Sequence, residues 1–383
     1  MLIPLSHPNI TDHERKAVLD VLFTPHLSLG GKLVEFEQAV ADQVGAGFGI
    51  AVNSGTSGLH LAVKAAGFGP GDEVITTPFS FIASANCLLY EGATPRFVDI
   101  DAETYNLDLR EIPAAIHSRT RGILPVHVFG RPAPMKEILG LARRYQLTVI
   151  EDACEAIGAT YRGKDVGGFG QTGVFAFYPN KQITTGEGGM IVTDDAKVAS
   201  LCRSWRNQGR SENGEWLDHE RIGYNYRLSE LNCALGLAQL ARLDEILDRR
   251  QTVAETYSAL LKDILPDLHL PAPAAAETSI SWFVYVVRLP DEFSREDRDM
   301  ILTELRKKGI GCRNYFSPIH LQPFYRQKFG YKPGMFKVTE RVSERTIALP
   351  FYTSLTERDI NAVCAALADT VASQRKRLWA VAP

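Results

Sequence analysis

Apolar and polar positions along the chain follow two periods, and the way these take turns predicts the architecture. Short apolar runs at residues 50–52, 74–77, 96–100, 122–128, 148–150, 174–177 and 190–192 read as buried strands. Stretches of helical spacing lie around and between them. Thr11 can cap a helix with Ala17, Val18, Val21 and Leu22 on its inner face, and a turn at Leu29, Gly30 and Gly31 leads into another with Leu33, Phe36, Ala39 and Val40 inward. A third carries Leu59, Ala62, Val63 and Ala66 and stops at Gly67, and residues 83–89 and 133–145 are of helix length. Strands alternating with helices predict an α/β fold, with a mostly parallel sheet covered by helices on both faces.

The second half is patterned differently. Asp194 and Asp195 can cap a helix running to Trp205, and residues 206–220 form a long polar loop. From about Ser229 one helix with Leu231, Leu235, Leu240 and Leu243 extends toward Arg250, long enough to connect two domains. Residues 271–278 have linker composition. Residues 282–289 and 347–351 are strand-like, residues 297–308 helical, and a last helix ends in the solvated face Arg375, Lys376, Arg377. At 383 residues the chain is too long for one ordinary core. The expected division is a large domain at 1–245, including the N-terminal helical segment, and a smaller α+β domain at 246–383. No internal repeat is visible.

Composition narrows the function. A net charge of −3 and a pI near 6.3 give no electrostatic reason to expect nucleic acid or an anionic membrane as partner. No apolar run approaches the roughly 20 residues of a spanning helix, and the first residues lack a basic region followed by an apolar one, so a cytoplasmic location is expected. Six cysteines are scattered without a CxxC pair and nine histidines without HExxH-type spacing, so no metal site is expected and the thiols read as reduced.

Three segments can carry chemistry. Residues 53–58, Asn-Ser-Gly-Thr-Ser-Gly, follow a strand and open a helix, which makes a phosphate cradle of free amides, a positive helix end and hydroxyls; a capped helix start with no ligand is the plainer alternative. Asp152 stands at the end of the 148–150 strand, on the side where α/β sheets bind ligands, although such a residue can also be a helix cap. Lys181 lies after a core strand stopped by Pro179, in a segment that Gly186, Gly188 and Gly189 leave free to bend. It is either a surface-loop lysine or an amine placed at an apolar edge to form a Schiff base. Gly168, Gly170 and Gly173 spell GxGxxG, but a glycine turn precedes them and a strand follows, the reverse of what dinucleotide binding requires. Anion site, carboxylate and amine in this order are what pyridoxal 5′-phosphate asks for: a seat for its phosphate, a partner for its ring nitrogen and an amine for its aldehyde.

The segments NSGTSGLHLA (53–62), PFSFIASANCLLYEGATPRFVDID (78–101), PVHVFG (125–130), EDACEAIGA (151–159), FAFYPNKQITTGEGG (175–189), GYNYRLSELNCALGLAQL (223–240) and YFSPIHLQPFY (315–325) make the chain resemble the DegT/DnrJ/EryC1/StrS sugar aminotransferases, within the aspartate-aminotransferase-like, fold type I superfamily. The resemblance implies that Lys181 binds the cofactor's aldehyde and Asp152 its ring nitrogen. Gly55 and Thr56 would hold the phosphate with Ser57 nearby, and Phe81 would stack on the ring. Asn225 would reach the phosphate in the other subunit of a homodimer, and His320, with Tyr315 and Arg313, would contact a nucleotide sugar. Two positions depart from the common pattern. Glu155 replaces a glutamine or histidine beside the cofactor's O3′, where it is expected to titrate high or share a proton. Ala176 replaces a frequent serine, leaving Tyr178 or Asn180 to serve the phosphate. The implied activity is transfer of an amino group from an amino acid, L-glutamate by the resemblance, to a keto sugar nucleotide, with a 4-keto-6-deoxyhexose as first choice. A 3-keto sugar nucleotide, a cyclitol ketone and a regulatory protein without turnover are the alternatives. The dehydrase branch carries histidine in place of the lysine, against which Lys181 counts.

Overall fold

The computed structural model describes residues 2–211 and 217–381; part of the expected loop at 206–220 lies outside the described residues. Seven strands form the main sheet, in the spatial order Phe48–Val52, Gly189–Thr193, Thr172–Ala176, Thr148–Asp152, Thr120–Ile123, Glu73–Thr76 and Thr94–Phe97. Only Gly189–Thr193 runs against the others. Helices cover both faces, which is why the strands read as continuous apolar runs. The 122–128 run is shorter than its pattern predicts: the strand ends at Ile123 and residues 128–130 turn in a 3-10 helix in which Phe129 takes φ +58°.

The sequence order of the sheet aims strand ends at one place. Residues after Phe48–Val52, Glu73–Thr76, Thr120–Ile123, Thr148–Asp152 and Thr172–Ala176 all leave the sheet at its carboxyl edge, where ligands bind in such folds. The strand that carries Asp152 is anchored from below. Glu151 is fully buried, and its carboxylate accepts the amides of Gly167, Phe169 and Gly170 and pairs with His127 Nε2 at 3.1 Å. The glycine turn that imitates a dinucleotide fingerprint is therefore a nest for a carboxylate of the protein itself.

A second apolar core gathers Tyr257, Tyr285, Phe293, Ile301, Ile347 and Leu367 around the two-stranded pairing of Tyr285–Arg288 with Thr346–Leu349. The helix expected from Ser229 toward Arg250 is two: Glu230–Leu240, capped by Ser229, and Leu243–Ile264, with the break at Ala241 and Arg242. Leu22, expected inward, is 54% exposed, whereas Glu14 on the same helix is fully buried against Gln239 and Arg242. No helix among the described residues is long and apolar enough to cross a membrane.

Candidate active site

The five strand ends and the segment at 314–317 enclose a cavity of about 580 Å³. Its floor comes from the strand that ends at Asp152. That residue is 4% exposed; one carboxylate oxygen accepts the Ser84 hydroxyl at 2.6 Å and the other the Cys154 amide at 3.1 Å, so its orientation is fixed from two sides. Ser84 is in turn bonded to Ser80 at 2.7 Å. Neither serine carries a sequence signal for this role: Ser84 lies in the first turn of the helix Ala83–Tyr90 and Ser80 in the loop before it, and only the folded chain sets both beside Asp152.

At one end of the cavity the helix Gly55–Ala65 begins. Ser54 caps it by accepting the Ser57 amide, and the amides of Gly55 and Thr56 find no acceptor among the described residues. Free amides at a positive helix end are a ready seat for an anion. Gly55 is required because a Cβ there would come within 2.6 Å of the Ala176 Cβ and 3.0 Å of the Cys154 sulfur, both held on the sheet edge. The Ser57 hydroxyl is turned into the chain, donating to Asn53 Oδ1 at 2.6 Å, and Ser57 does not line the cavity. Ala176, Tyr178 and Asn180 do line it.

Lys181 follows a turn closed by its own amide on the Tyr178 carbonyl, which brings the side chain back over the sheet edge. Its ammonium, on a side chain 13% exposed, lies 3.7 Å from Glu155 Oε1 and 3.9 Å from the centroid of the Phe283 ring. The other Glu155 oxygen accepts the Phe129 amide at 3.0 Å, a donor turned inward by that residue's left-handed backbone. Burial raises the Glu155 pKa against the opposing pull of Lys181 and the Phe129 amide. Cys154 also faces the cavity, its thiol pushed well up by burial and by the charge of Asp152. Tyr315, Phe316, Phe283 and Phe129 form a stacked aromatic wall, with Tyr315 and Phe316 centroids 5.1 Å apart; burial raises the Tyr315 phenol. Phe81 stands at the mouth, 63% exposed.

Three residues expected to make contacts do not line this chain's cavity. His320 is fully buried, its Nε2 bonded to Glu340 at 3.0 Å between the rings of Phe336 and Tyr331, and burial lowers its pKa; it does not line the cavity. Packing, not substrate contact, explains its place. Arg313 is exposed, its backbone paired with Ala348, and it is also off the cavity. Asn225 is exposed on the surface of this chain, bridged to Asn207 and accepting from Asn53 through its carbonyl.

An α/β fold that converges an amine, a clamped aspartate and free helix-start amides on one cavity defines a group-transfer enzyme. The DegT/DnrJ/EryC1/StrS aminotransferase family model matches residues 8–368. GDP-perosamine synthase of Caulobacter vibrioides is 42% identical over 366 residues, covering 95% of this chain and 97% of that protein. Among solved structures, Helicobacter pylori PseC, an aminotransferase involved in the biosynthesis of pseudoaminic acid, superposes with a TM-score of 0.92 at 30% identity over 97% of this chain and 100% of its own. Spr1654 of Streptococcus pneumoniae in its PLP form superposes with a TM-score of 0.91 at 25% identity, over 98% and 100% of the two chains. The chain belongs to the DegT/DnrJ/EryC1/StrS aminotransferase family and is an aminotransferase of the fold type I architecture.

Proposed function

We propose that the protein binds pyridoxal 5′-phosphate and moves an amino group from an amino acid, with L-glutamate as the first candidate, to the keto group of a nucleotide-linked sugar. The observation that carries this reading is the convergence of Lys181, Asp152 and the unpartnered amides of Gly55 and Thr56 on one cavity. The donor set fits the cofactor: amides for its phosphate, a carboxylate oriented by two hydrogen bonds for its ring nitrogen, and an amine for its aldehyde. When bound, it supplies an electron-accepting ring and a carbonyl that can exchange amines. Phe81 is assigned to the ring face and Glu155 to its hydroxyl.

The protein's own part is positioning and proton handling. Asp152 cannot turn away while Ser84 and the Cys154 amide hold it. Lys181, which lines the cavity, would hold the cofactor's aldehyde and would serve as the base that handles the substrate's proton. Phe283, Tyr315 and Phe316 line that side with apolar surface and keep water from the amine. The sugar-nucleotide assignment is supported by the likeness to GDP-perosamine synthase and PseC, and a 4-keto-6-deoxyhexose is the acceptor proposed. Lys181→Ala is expected to abolish both turnover and the cofactor's protein-bound visible band, read by absorbance after reconstitution. Retained activity would refute the assignment. Screening nucleotide keto sugars for amine uptake from the aminated cofactor, followed by its spectrum, identifies the acceptor.

A further inference from the structure

Buried arginines in this protein usually have a carboxylate. Arg206 pairs with Glu37, and Arg298 with Asp299 at 2.7 Å. Arg250 is 4% exposed and has no carboxylate partner among the described residues; burial alone lowers its pKa to about 10. What it has is carbonyls. Nη2 donates to the Lys181 carbonyl at 3.0 Å, and Nη1 to those of Trp282 and Phe283 at 3.1 and 3.3 Å. The guanidinium also lies 5.4 Å from the centroid of the Phe351 ring.

A buried cation without a counter-ion is costly to keep, so its placement calls for a function that an apolar residue would not supply. The residues it grips give one. Phe283 is the ring lying 3.9 Å from the Lys181 ammonium, so one rigid fork fixes the backbone beneath the amine and the backbone beneath the ring. Arg250 lies on the helix Leu243–Ile264, whose following turns carry Val253, Ala254 and Tyr257 into the second core. It ties the lysine segment of the large sheet to that core.

We propose that Arg250 is a positioning residue for Lys181: by holding the carbonyls of Lys181 and Phe283 on one guanidinium, it keeps the amine against the ring and directed into the cavity. The kinetic side of this rests on Lys181 being the amine that meets the aldehyde.

The test compares Arg250→Met, Arg250→Lys and a control, Tyr257→Phe, which removes a 2.9 Å bond to the Pro350 carbonyl from the same helix without touching Lys181. In the ligand-free protein, reductive methylation with formaldehyde and cyanoborohydride is quantified by mass spectrometry at Lys181 relative to the exposed Lys136 and Lys197. Released from its clamp, Lys181 is expected to label roughly fivefold faster or more in Arg250→Met, with partial rescue in Arg250→Lys and no change in Tyr257→Phe. In the loaded enzyme kcat should fall by roughly tenfold to a hundredfold with KM little changed. Labelling within about twofold of wild type in a folded Arg250→Met protein, with a lowered melting temperature, would make Arg250 a brace only and overturn the proposal. Should Arg250→Met not fold, Arg250→Lys decides by the same two measurements. Labelling uses neither cofactor nor substrate, so it stands apart from the Lys181 assignment; that fails on its own if borohydride reduction of the loaded protein attaches the cofactor elsewhere.

Discussion

At the scale of single residues, Glu155 and Lys181 show how an amine and a carboxyl can be buried together without simply neutralising each other. Their polar atoms are 3.7 Å apart, too far for a hydrogen bond, and the carboxyl's closest fixed donor is the Phe129 amide. Burial dominates and raises the Glu155 pKa. A carboxyl whose pKa is raised by folding makes the native state hold more protons than the unfolded chain, so its contribution to stability worsens as pH rises above the ordinary carboxylate range. Glu155→Gln is therefore expected to gain in melting temperature relative to the parent between pH 4 and pH 8, measured on the ligand-free protein. A difference independent of pH would show that Glu155 does not titrate as argued. The departure at this position was visible in the sequence; its hydrogen-bond donor Phe129, 26 residues before, was not.

Among the elements, the first helix is held by one buried carboxylate. Glu14 closes the capping box with Thr11 and accepts Gln239 Nε2 at 2.9 Å and Arg242 Nη1 at 2.7 Å, joining Asp12–Leu22 to the end of Glu230–Leu240. Burial alone would raise its pKa; the bonds from Thr11, Arg242 and Gln239 outweigh that and hold it at about 2. A lowered carboxylate contributes stability that is present above the unfolded pKa and lost as pH falls toward the folded one. Glu14→Gln should cost about 2 to 4 kcal/mol near neutrality and progressively less below about pH 4.5, followed by urea denaturation at a series of pH values. The same contact lies at the helix break. Arg242 turns its side chain back to Glu14 and Asn9, and no interruption of the apolar spacing through Leu240 and Leu243 announces it.

For the whole molecule, the expected homodimer and the division of the chain remain proposals with specific support. Leu19, Leu22, Phe23, Leu27, Leu29 and Val34 are exposed along one continuous segment, more apolar surface than a solvated face needs. We propose that this surface takes part in pairing two chains, and that the large and small units meet within Leu243–Ile264, which feeds both cores. If Asn225 serves the partner's cofactor, Asn225→Ala and Lys181→Ala proteins, each inactive alone, should regain about a quarter of wild-type activity after subunit exchange, since half the dimers carry one intact composite site. No recovery after demonstrated exchange would place Asn225 in its own chain's site.

The chain's periodicity determined the α/β class, the parallel sheet and the helix starts at Thr11, within residues 53–58 and near Ser229, because those depend on local spacing and on caps within a few residues. Motif order indicated that Lys181, Asp152 and the 53–58 turn share a ligand. Tertiary structure alone decided that Ser84 clamps Asp152, that the 167–170 glycine turn holds Glu151 and not a nucleotide, that Ser57, Arg313 and His320 lie off the cavity, and that an unpaired arginine sits under the lysine. The reason is physical: a hydrogen bond is made by whatever group the folded backbone brings within about 3 Å, and separation along the chain carries no record of that distance.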